Sequence, residues 1–154
     1  MIWTRARIGL QACAIVSALA MLYVGLFQIG WVRRLACPGF GSGCESVALA
    51  EFSWIFGVAD GLVRAAYLGI LLALAQVPRK DAALAVFGLA GISVALNAIN
   101  LADMHKMGAW DFWCLLVAVL SLPLAALAWI SARQPFRASG SAPTAPADPP
   151  QSAG

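Results

Sequence analysis

The sequence predicts an all-α membrane protein, a bundle of four transmembrane helices with a short amphipathic helix at the membrane interface. Of its 154 residues, 62% are hydrophobic and 11% are charged, whereas soluble domains carry about 25% charged and 45–50% apolar residues. Four apolar runs follow one another along the chain, and an amphipathic segment lies in the one long connection between them. These observations together predict the fold class.

The four apolar runs are close to the length of about 20 residues that crosses the hydrocarbon core of a bilayer. The second run becomes long enough if Arg64, predicted to pair with Asp60 one turn earlier, reaches the interface with its charge. Arg5 and Arg7 before the first run also fit a cleavable signal peptide, but the run is longer than a signal-peptide core and favours an uncleaved helix. The runs are Ile8–Val32, Ala65–Pro78, Ala82–Ala102 and Phe112–Ala132.

The long connection, Trp31–Gly57, contains two cysteines and the amphipathic segment. Over residues 45–56 the apolar side chains share one helical face, which predicts an interfacial helix that Gly57 ends. The connections Pro78–Asp81 and Asp103–Gly108 are predicted to be short turns. The apolar face consists of Ala48, Leu49, Phe52, Ile55 and Phe56.

The charges predict how the domain is oriented. Residues 1–133 form one predicted membrane domain, and residues 134–154 form a disordered tail rich in Ala, Pro and Ser. With a cytoplasmic N-terminus, more Lys and Arg residues lie inside than outside, in agreement with the positive-inside rule. The net charge of +3 is small and the Lys and Arg residues are scattered, so nucleic acid is not a predicted partner. The apolar composition makes membrane lipid a predicted partner. The inner residues are Arg5, Arg7, Arg79, Lys80, Arg133 and Arg137; the outer ones are Arg33, Arg34, Arg64 and Lys106.

Cys37 and Cys44 enclose a short loop of Pro, Gly, Ser and Phe that this orientation places outward. A metal site is one interpretation, but adding His105 from another loop gives three ligands where a structural zinc site has four, so we predict no metal. A disulfide is favoured because the outer compartment permits oxidation. Closing so small a loop stabilises the fold by about 2.5 kcal/mol in the chain-entropy model. Such a disulfide is either a permanent structural bond or a redox pair.

Cys114 lies in the sequence WDFWCL at the outer end of the fourth run, on the same side as the pair. If Asp111 caps that helix, Cys114 is its third residue and lies beside backbone N–H groups that favour a thiolate. Two interpretations follow. The three cysteines form a redox relay at the membrane edge, or Cys114 ends a helix beside an unrelated structural disulfide.

The stretch CPGFGSGCESVALAEFSWIFGVADGLVRAAY resembles the signature of the vitamin K epoxide reductase family, a cysteine–loop–cysteine pair followed by Glu-x-Val and by Phe-Gly before the second helix. The segment Gly108–Leu124 looks like the fourth helix of that family, which carries a C-x-x-C motif. The resemblance covers roughly Ile8–Arg133, with the number and order of the helices. The matching residues are Cys37, Cys44, Glu45, Val47, Phe56, Gly57, Tyr67, Trp113, Cys114, Leu115 and Pro123.

Members of this family are four-helix bundles that pass electrons from thiols to a quinone. The resemblance implies that Cys37 and Cys44 exchange disulfides with a separate thioredoxin-fold protein, and that Cys114 faces a ubiquinone or menaquinone. A quinone epoxide is the less favoured alternative substrate. It also implies a multi-pass protein of the bacterial inner membrane, with both termini cytoplasmic and the cysteine loop outward.

One position departs from the motif, because Asp111 replaces the first cysteine of C-x-x-C. Either Cys44 pairs directly with Cys114 while Asp111 accepts a proton, or Asp111 is a helix cap in a chain whose relay is lost. Membrane thiol–disulfide oxidoreduction, serving disulfide-bond formation, is the leading interpretation. The alternative is a non-catalytic membrane binding module with a structural Cys37–Cys44 disulfide.

A polar stripe lies near the outer end of the third helix, where Asn97, Asn100 and Asp103 are spaced by three. Such groups usually join helices, with each hydrogen bond contributing about 0.6 kcal/mol. The functional interpretation is a polar wall around a quinone headgroup, in a site that is otherwise apolar. The apolar side chains expected there are Phe56, Phe112 and Trp113.

Overall fold

The computed structural model describes residues 2–133, which are mostly helical. Three helices are long and apolar enough to cross a membrane, and they indicate a membrane protein. A further long helix, α3, has 17 residues. The predicted tail, residues 134–154, lies outside the described residues. The long helices are α1 (Ile2–Gln28), α3 (Asp60–Gln76), α4 (Lys80–Met107) and α5 (Phe112–Arg133).

The four long helices form a ring in which α1 packs against α3 and α5, and α4 packs against α5 and α3. Their outer surfaces carry large apolar side chains that are half or more exposed. Such surfaces suit contact with lipid tails, because no water is available there to penalise apolar exposure. These side chains include Ile8, Leu19, Ile70, Ile99, Val119 and Leu122.

The core of the bundle has two layers. One lies within the bundle and gathers Leu10, Ala14, Leu71, Val86, Ala90, Leu124 and Ala128. The other joins the helices to the long connection and gathers Ala20, Met21, Val24, Leu35, Cys44, Ala48, Leu68 and Val117. The second layer places Cys44 inside the end of the bundle rather than in an outlying loop.

The connection between α1 and α3 differs from the predicted helix over residues 45–56. Helix α2 (Gly43–Ala48) begins before Cys44 and ends after six residues; a 3₁₀ turn (Glu51–Ser53) follows, then a hairpin of β1 (Trp54–Ile55) and β2 (Val58–Ala59). The predicted helix is therefore wrong beyond Ala48. Aromatic and β-branched residues flank Phe56 and Gly57, which turn with φ of 51° and 81°, the positive values that a tight hairpin turn requires.

The helix ends also differ from the apolar runs. Helix α1 stops at Gln28, and α4 continues through the predicted turn Asp103–Gly108 as far as Met107. Gly108 ends α4 in the left-handed conformation, with φ of 67°, so the connection between α4 and α5 is residues 108–111. The short connection predicted around Pro78–Asp81 is confirmed, although Lys80 and Asp81 already belong to α4: α3 ends at Gln76 and α4 begins at Lys80.

Helices α1 and α3 meet at two glycines. A Cβ atom built on Gly61 would lie 2.5 Å from the backbone nitrogen of Gly25 and 2.8 Å from the carbonyl oxygen of Met21. Backbone atoms cannot move aside as a flexible side chain does, so this contact requires glycine. It holds the start of α3 directly against α1, next to the long connection.

We predict that Gly61→Ala lowers the free energy of unfolding by about 1–3 kcal/mol, because the added methyl group forces the two helices apart. The measurement is the thermal midpoint of the detergent-solubilised protein, followed by circular dichroism. Gly69→Ala, on the same helix, is the matched control, since a Cβ there meets no atom within 4 Å. Equal midpoints for the two variants would contradict the proposed contact.

Candidate functional site

The predicted disulfide between Cys37 and Cys44 is confirmed, with Cα atoms 5.7 Å apart. Its two sulfurs have different surroundings, since Cys44 is fully buried and Cys37 is partly exposed. The backbone N–H of Phe112 donates a hydrogen bond to Cys44 Sγ at 3.4 Å, and the N–H of Cys44 donates to Cys37 Sγ at 3.3 Å. Cys37 is thus the more exposed residue of the pair, and the sulfur of Cys44 lies against the first residue of α5.

The start of α2 rests directly on the chain that leads into α5. A Cβ atom on Gly43 would overlap the carbonyl oxygen of Trp110, a backbone atom with nowhere to move. Glycine at this position therefore lets the two segments touch. This close approach brings Cys44 to the N-terminus of α5.

Gln28, at the last position of α1, ties the long connection to the bundle. Its side-chain nitrogen donates to the carbonyl oxygens of Ala48 and Ser53 at 3.0 and 3.1 Å, and its oxygen accepts from the N–H of Gly61 at 3.0 Å. These bonds join the ends of α2 and of the 3₁₀ turn to the second residue of α3. This role of Gln28 was not predicted, because a lone Gln at the end of an apolar run gives no signal of its partners.

Two aromatic side chains hold the backbone just before Cys37. The indole N–H of Trp113 donates to the carbonyl oxygen of Ala36 at 2.7 Å, and the hydroxyl of Tyr23 accepts from the N–H of Ala36 at 3.0 Å. The two rings meet edge to face, with centroids 5.1 Å apart. Trp113 thus positions the cysteine loop, a role distinct from the quinone contact predicted for it.

Asp111 caps α5, as predicted. One carboxylate oxygen, Oδ1, accepts from the N–H of Trp113 at 3.0 Å. The residue is fully buried, and the second oxygen, Oδ2, has no hydrogen-bond partner among the described residues. A carboxylate oxygen of Asp111 and the sulfurs of Cys37 and Cys44 all lie within 4.8 Å of one another. The carboxyl group therefore faces the disulfide as well as the helix.

Burial raises the pKa of the Asp111 carboxyl, while interactions with the Cys114 thiol and with the N–H groups of Trp113 and Cys114 lower it by less. The balance favours the protonated, neutral form relative to an exposed Asp. A neutral carboxyl can donate a proton, whereas a carboxylate can only accept one. The group is thus suited to proton exchange with a neighbouring thiol.

Cys114 is a free, partly buried cysteine in the first turn of α5. The amide nitrogen of Asn100 lies 3.8 Å from its sulfur. Deeper in the bundle, Asn97 accepts from Arg64 at 2.8 Å, and Arg64 pairs with Asp60 at 2.6 Å, which confirms the predicted ion pair. The side-chain nitrogen of Asn97 is buried and has no partner among the described residues.

The structure brings most of the predicted site residues to one end of the bundle. Cys37, Cys44 and Asp111 meet there, Cys114 and Asn100 adjoin them, and the partly buried ring of Phe112 packs edge to face on Trp113.

Two residues lie elsewhere. Phe56 is at the hairpin tip with its side chain fully exposed, so it lines no wall, and Asp103 pairs with Lys106 at 2.9 Å on the surface. The stripe of three polar residues on α4 is thus divided between the interior, where Asn97 is buried, and the surface, where Asp103 pairs with Lys106.

Comparisons of the chain with protein-family models, with curated proteins and with solved structures find no match.

We predict that Gln28→Leu destabilises the protein by about 2 kcal/mol or more, because it leaves buried backbone groups of Ala48, Ser53 and Gly61 unpaired. The loosened connection also exposes the disulfide, so its reduction by a mild dithiol becomes faster. Gln11→Leu, on the same helix and without these bonds, is the matched control. An unchanged reduction rate in Gln28→Leu would argue against the tie.

We predict that Asp111→Asn changes how stability depends on pH. The folded-state pKa of Asp111 is raised, so its stabilising contribution is fully present below the unfolded-state pKa of about 3.9 and is lost as pH rises through the folded-state pKa. Asn caps a helix as well as Asp but does not ionise. The thermal midpoint of the oxidised wild type should therefore fall relative to that of Asp111→Asn as pH rises from about 4 toward neutrality. A gap that is constant with pH would contradict the raised pKa.

Proposed function

We propose that the chain is a quinone-linked thiol–disulfide oxidoreductase of the bacterial inner membrane, a divergent member of the vitamin K epoxide reductase family. It takes electrons from a separate thioredoxin-fold protein and passes them to ubiquinone or menaquinone, and it thereby supports disulfide-bond formation. The observation that carries this proposal is the asymmetry of the Cys37–Cys44 disulfide. Cys37 is partly exposed, and the sulfur of the buried Cys44 contacts the helix that bears Cys114.

The proposal includes four membrane spans, with α3 as the short one. At 1.5 Å per residue its 17 residues extend about 25 Å, close to the hydrocarbon thickness of about 30 Å. The ion pair between Arg64 and Asp60 lowers the cost of placing Arg64 near the membrane edge. Both termini are then cytoplasmic, and the disulfide faces outward, where oxidation persists.

In the first half-reaction, a thiolate of the partner attacks Cys37 Sγ, the more exposed sulfur. The Cys37–Cys44 bond breaks, a mixed disulfide forms between the partner and Cys37, and Cys44 leaves as a thiolate beside the N–H of Phe112. The second thiol of the partner then attacks the partner sulfur of the mixed disulfide. The partner departs oxidised, and the Cys37–Cys44 pair has gained two electrons.

In the second half-reaction, the thiolate of Cys114 adds to the quinone. Cys44 attacks Cys114 Sγ, which forms a Cys44–Cys114 disulfide and releases the quinol. Cys37 then attacks Cys44 and restores the original disulfide, freeing Cys114. Two thiols have lost two electrons and two protons, and the quinone has gained both. Asp111, which neighbours the pair and Cys114, is placed to accept a proton during these exchanges.

Two amides of α4 support a site for a quinone headgroup. Asn100 contacts the Cys114 sulfur, and the buried nitrogen of Asn97, three residues earlier, is a donor with no partner among the described residues. A quinone carbonyl is an acceptor, and an unpaired buried donor is costly to leave unmatched. The partly buried ring of Phe112 packs against the same core layer as Cys114 and supplies an apolar surface.

A second function is favoured by one observation. Asp111 fills the position beside the disulfide where the family motif has a cysteine, and a carboxylate carries no electrons. If the relay is lost, the chain is a non-catalytic membrane binding module in which the Cys37–Cys44 disulfide is structural.

We predict that the purified protein reduces quinone with a dithiol donor, and that Cys114→Ser lowers the rate to background because the quinone-facing thiol is lost. Quinol formation is followed by absorbance. Cys13→Ser is the matched control, since Cys13 packs against the inner core layer on α1. In Cys37→Ser, the Cys44–Cys114 disulfide should accumulate during turnover and be found by mass spectrometry under non-reducing conditions.

Two results decide between the functions. Turnover by the wild type that is absent in Cys114→Ser supports the three-cysteine circuit. Turnover by Asp111→Cys alone, with an inactive wild type, identifies a binding module whose relay is interrupted at residue 111.

A further inference from the structure

We propose that the reduced protein binds one Zn²⁺ ion through Cys37, Cys44 and Asp111, in a metal site that the disulfide closes. A sulfur of each cysteine and a carboxylate oxygen of Asp111 lie within 4.8 Å of one another. Thiolates select soft or borderline metals, and Zn²⁺ accepts sulfur and carboxylate ligands together. The proposal goes beyond quinone reduction and does not depend on it.

The donor spacing suits a tetrahedral ion once the disulfide is open. With Zn–S distances of about 2.3 Å and a Zn–O distance of about 2.1 Å, neighbouring donor atoms lie about 3.5–3.8 Å apart. The carboxylate already lies within reach of both sulfurs. To reach tetrahedral spacing, the sulfurs move apart once the bond between them is broken, and the carboxylate approaches them by at most about 1 Å.

A dithiol or phosphine reductant delivers two electrons to the disulfide, and two protons from water or the reductant give two thiols. Zn²⁺ then displaces both thiol protons, and also the carboxyl proton where Asp111 is neutral. In the oxidised protein the two sulfurs are bonded to each other and are not thiolate ligands.

Asp111 provides an independent indication of a ligand. It is fully buried, and its Oδ2 has no hydrogen-bond partner among the described residues, which is costly for a buried oxygen. Its Oδ1 is held by the N–H of Trp113, so the carboxyl group is fixed in orientation. A ligand at Oδ2 would satisfy the unpaired oxygen.

A backbone N–H group already donates a hydrogen bond to each sulfur, as is common for thiolates bound to a metal. The N–H of Phe112 donates to Cys44 Sγ, and the N–H of Cys44 donates to Cys37 Sγ. Such outer contacts orient metal ligands and temper their negative charge. The partial exposure of Cys37 leaves a side from which the ion enters and where water takes the fourth position.

His105, the ligand considered from the sequence, is exposed on α4 and does not belong to this cluster. The carboxylate of Asp111 takes the third position instead. Zinc bound in this way occupies both thiolates, so it holds the pair reduced and prevents disulfide exchange.

The test is Co²⁺ and Zn²⁺ titration of the full-length protein in detergent, reduced with a phosphine and compared with the oxidised protein. The Cys13→Ser/Cys114→Ser double variant is used so that Cys37 and Cys44 are the thiols present. The expected result is one Co²⁺ per reduced chain, with thiolate-to-metal absorption that Zn²⁺ removes, and no binding by the oxidised chain.

We expect Asp111→Asn, which keeps the helix cap, to weaken the affinity for Zn²⁺ about 10–100-fold, and His105→Ala to leave it unchanged.

Each outcome decides the proposal. Equal binding by the oxidised protein, an unchanged affinity in Asp111→Asn, or a loss in His105→Ala would overturn it. Retained binding in Cys37→Ser would overturn it as well. Because the readout is metal absorption rather than quinone turnover, an inactive enzyme that binds Zn²⁺ when reduced still supports the site.

Discussion

The buried side chain of Gln28 makes three hydrogen bonds that join the long connection to the bundle, two as donor and one as acceptor. The geometry of the site depends on them. They fix the end of α2 and the start of α3 to the end of α1, where Gly25 and Gly61 bring the two helices into backbone contact. With α2 held there, Cys44 is buried against the first residue of α5. A polar side chain in an apolar setting thus determines where the disulfide lies, because each buried backbone group needs a partner.

The carboxyl group of Asp111 lies next to the start of α5, the Cys37–Cys44 disulfide and Cys114. It caps α5, faces the disulfide and adjoins Cys114. Full burial with one unpaired oxygen is an expensive way to cap a helix, since an exposed Asp or Ser provides the same hydrogen bond without desolvation. The excess cost is what the proposed proton exchange and metal binding would explain.

Apolar composition, the short loop between two cysteines and the Asp before the last apolar run predicted the membrane class, the disulfide and the helix cap, because each depends on neighbours in sequence. The end of α4 was predicted too early. The polar residues after Ala102 were interpreted as a turn, but they also suit a helix that continues beyond its apolar segment. The helix over residues 45–56 was predicted too long, because the apolar period fits both a helix face and a hairpin, and the Gln28 bonds that end α2 come from distant residues. Two further contacts are also tertiary, and no local sequence pattern predicts them. They join Gly43 to Trp110 and Asp111 to the disulfide.

Helices of unequal length stand side by side in this bundle, with 17 residues in α3 and 28 in α4. At 1.5 Å per residue they differ by about 16 Å. In the proposed four-span arrangement, a bilayer matched to one helix does not match the other, so lipid next to α3 thins or α4 tilts, each at a modest cost per ångström of mismatch. The apolar hairpin tip at Phe56 lies just before α3. With α3 as a span, the hydrophobic thickness of the membrane would act on the protein unevenly around its circumference, and a thin bilayer would accommodate the α3 side at the lowest cost.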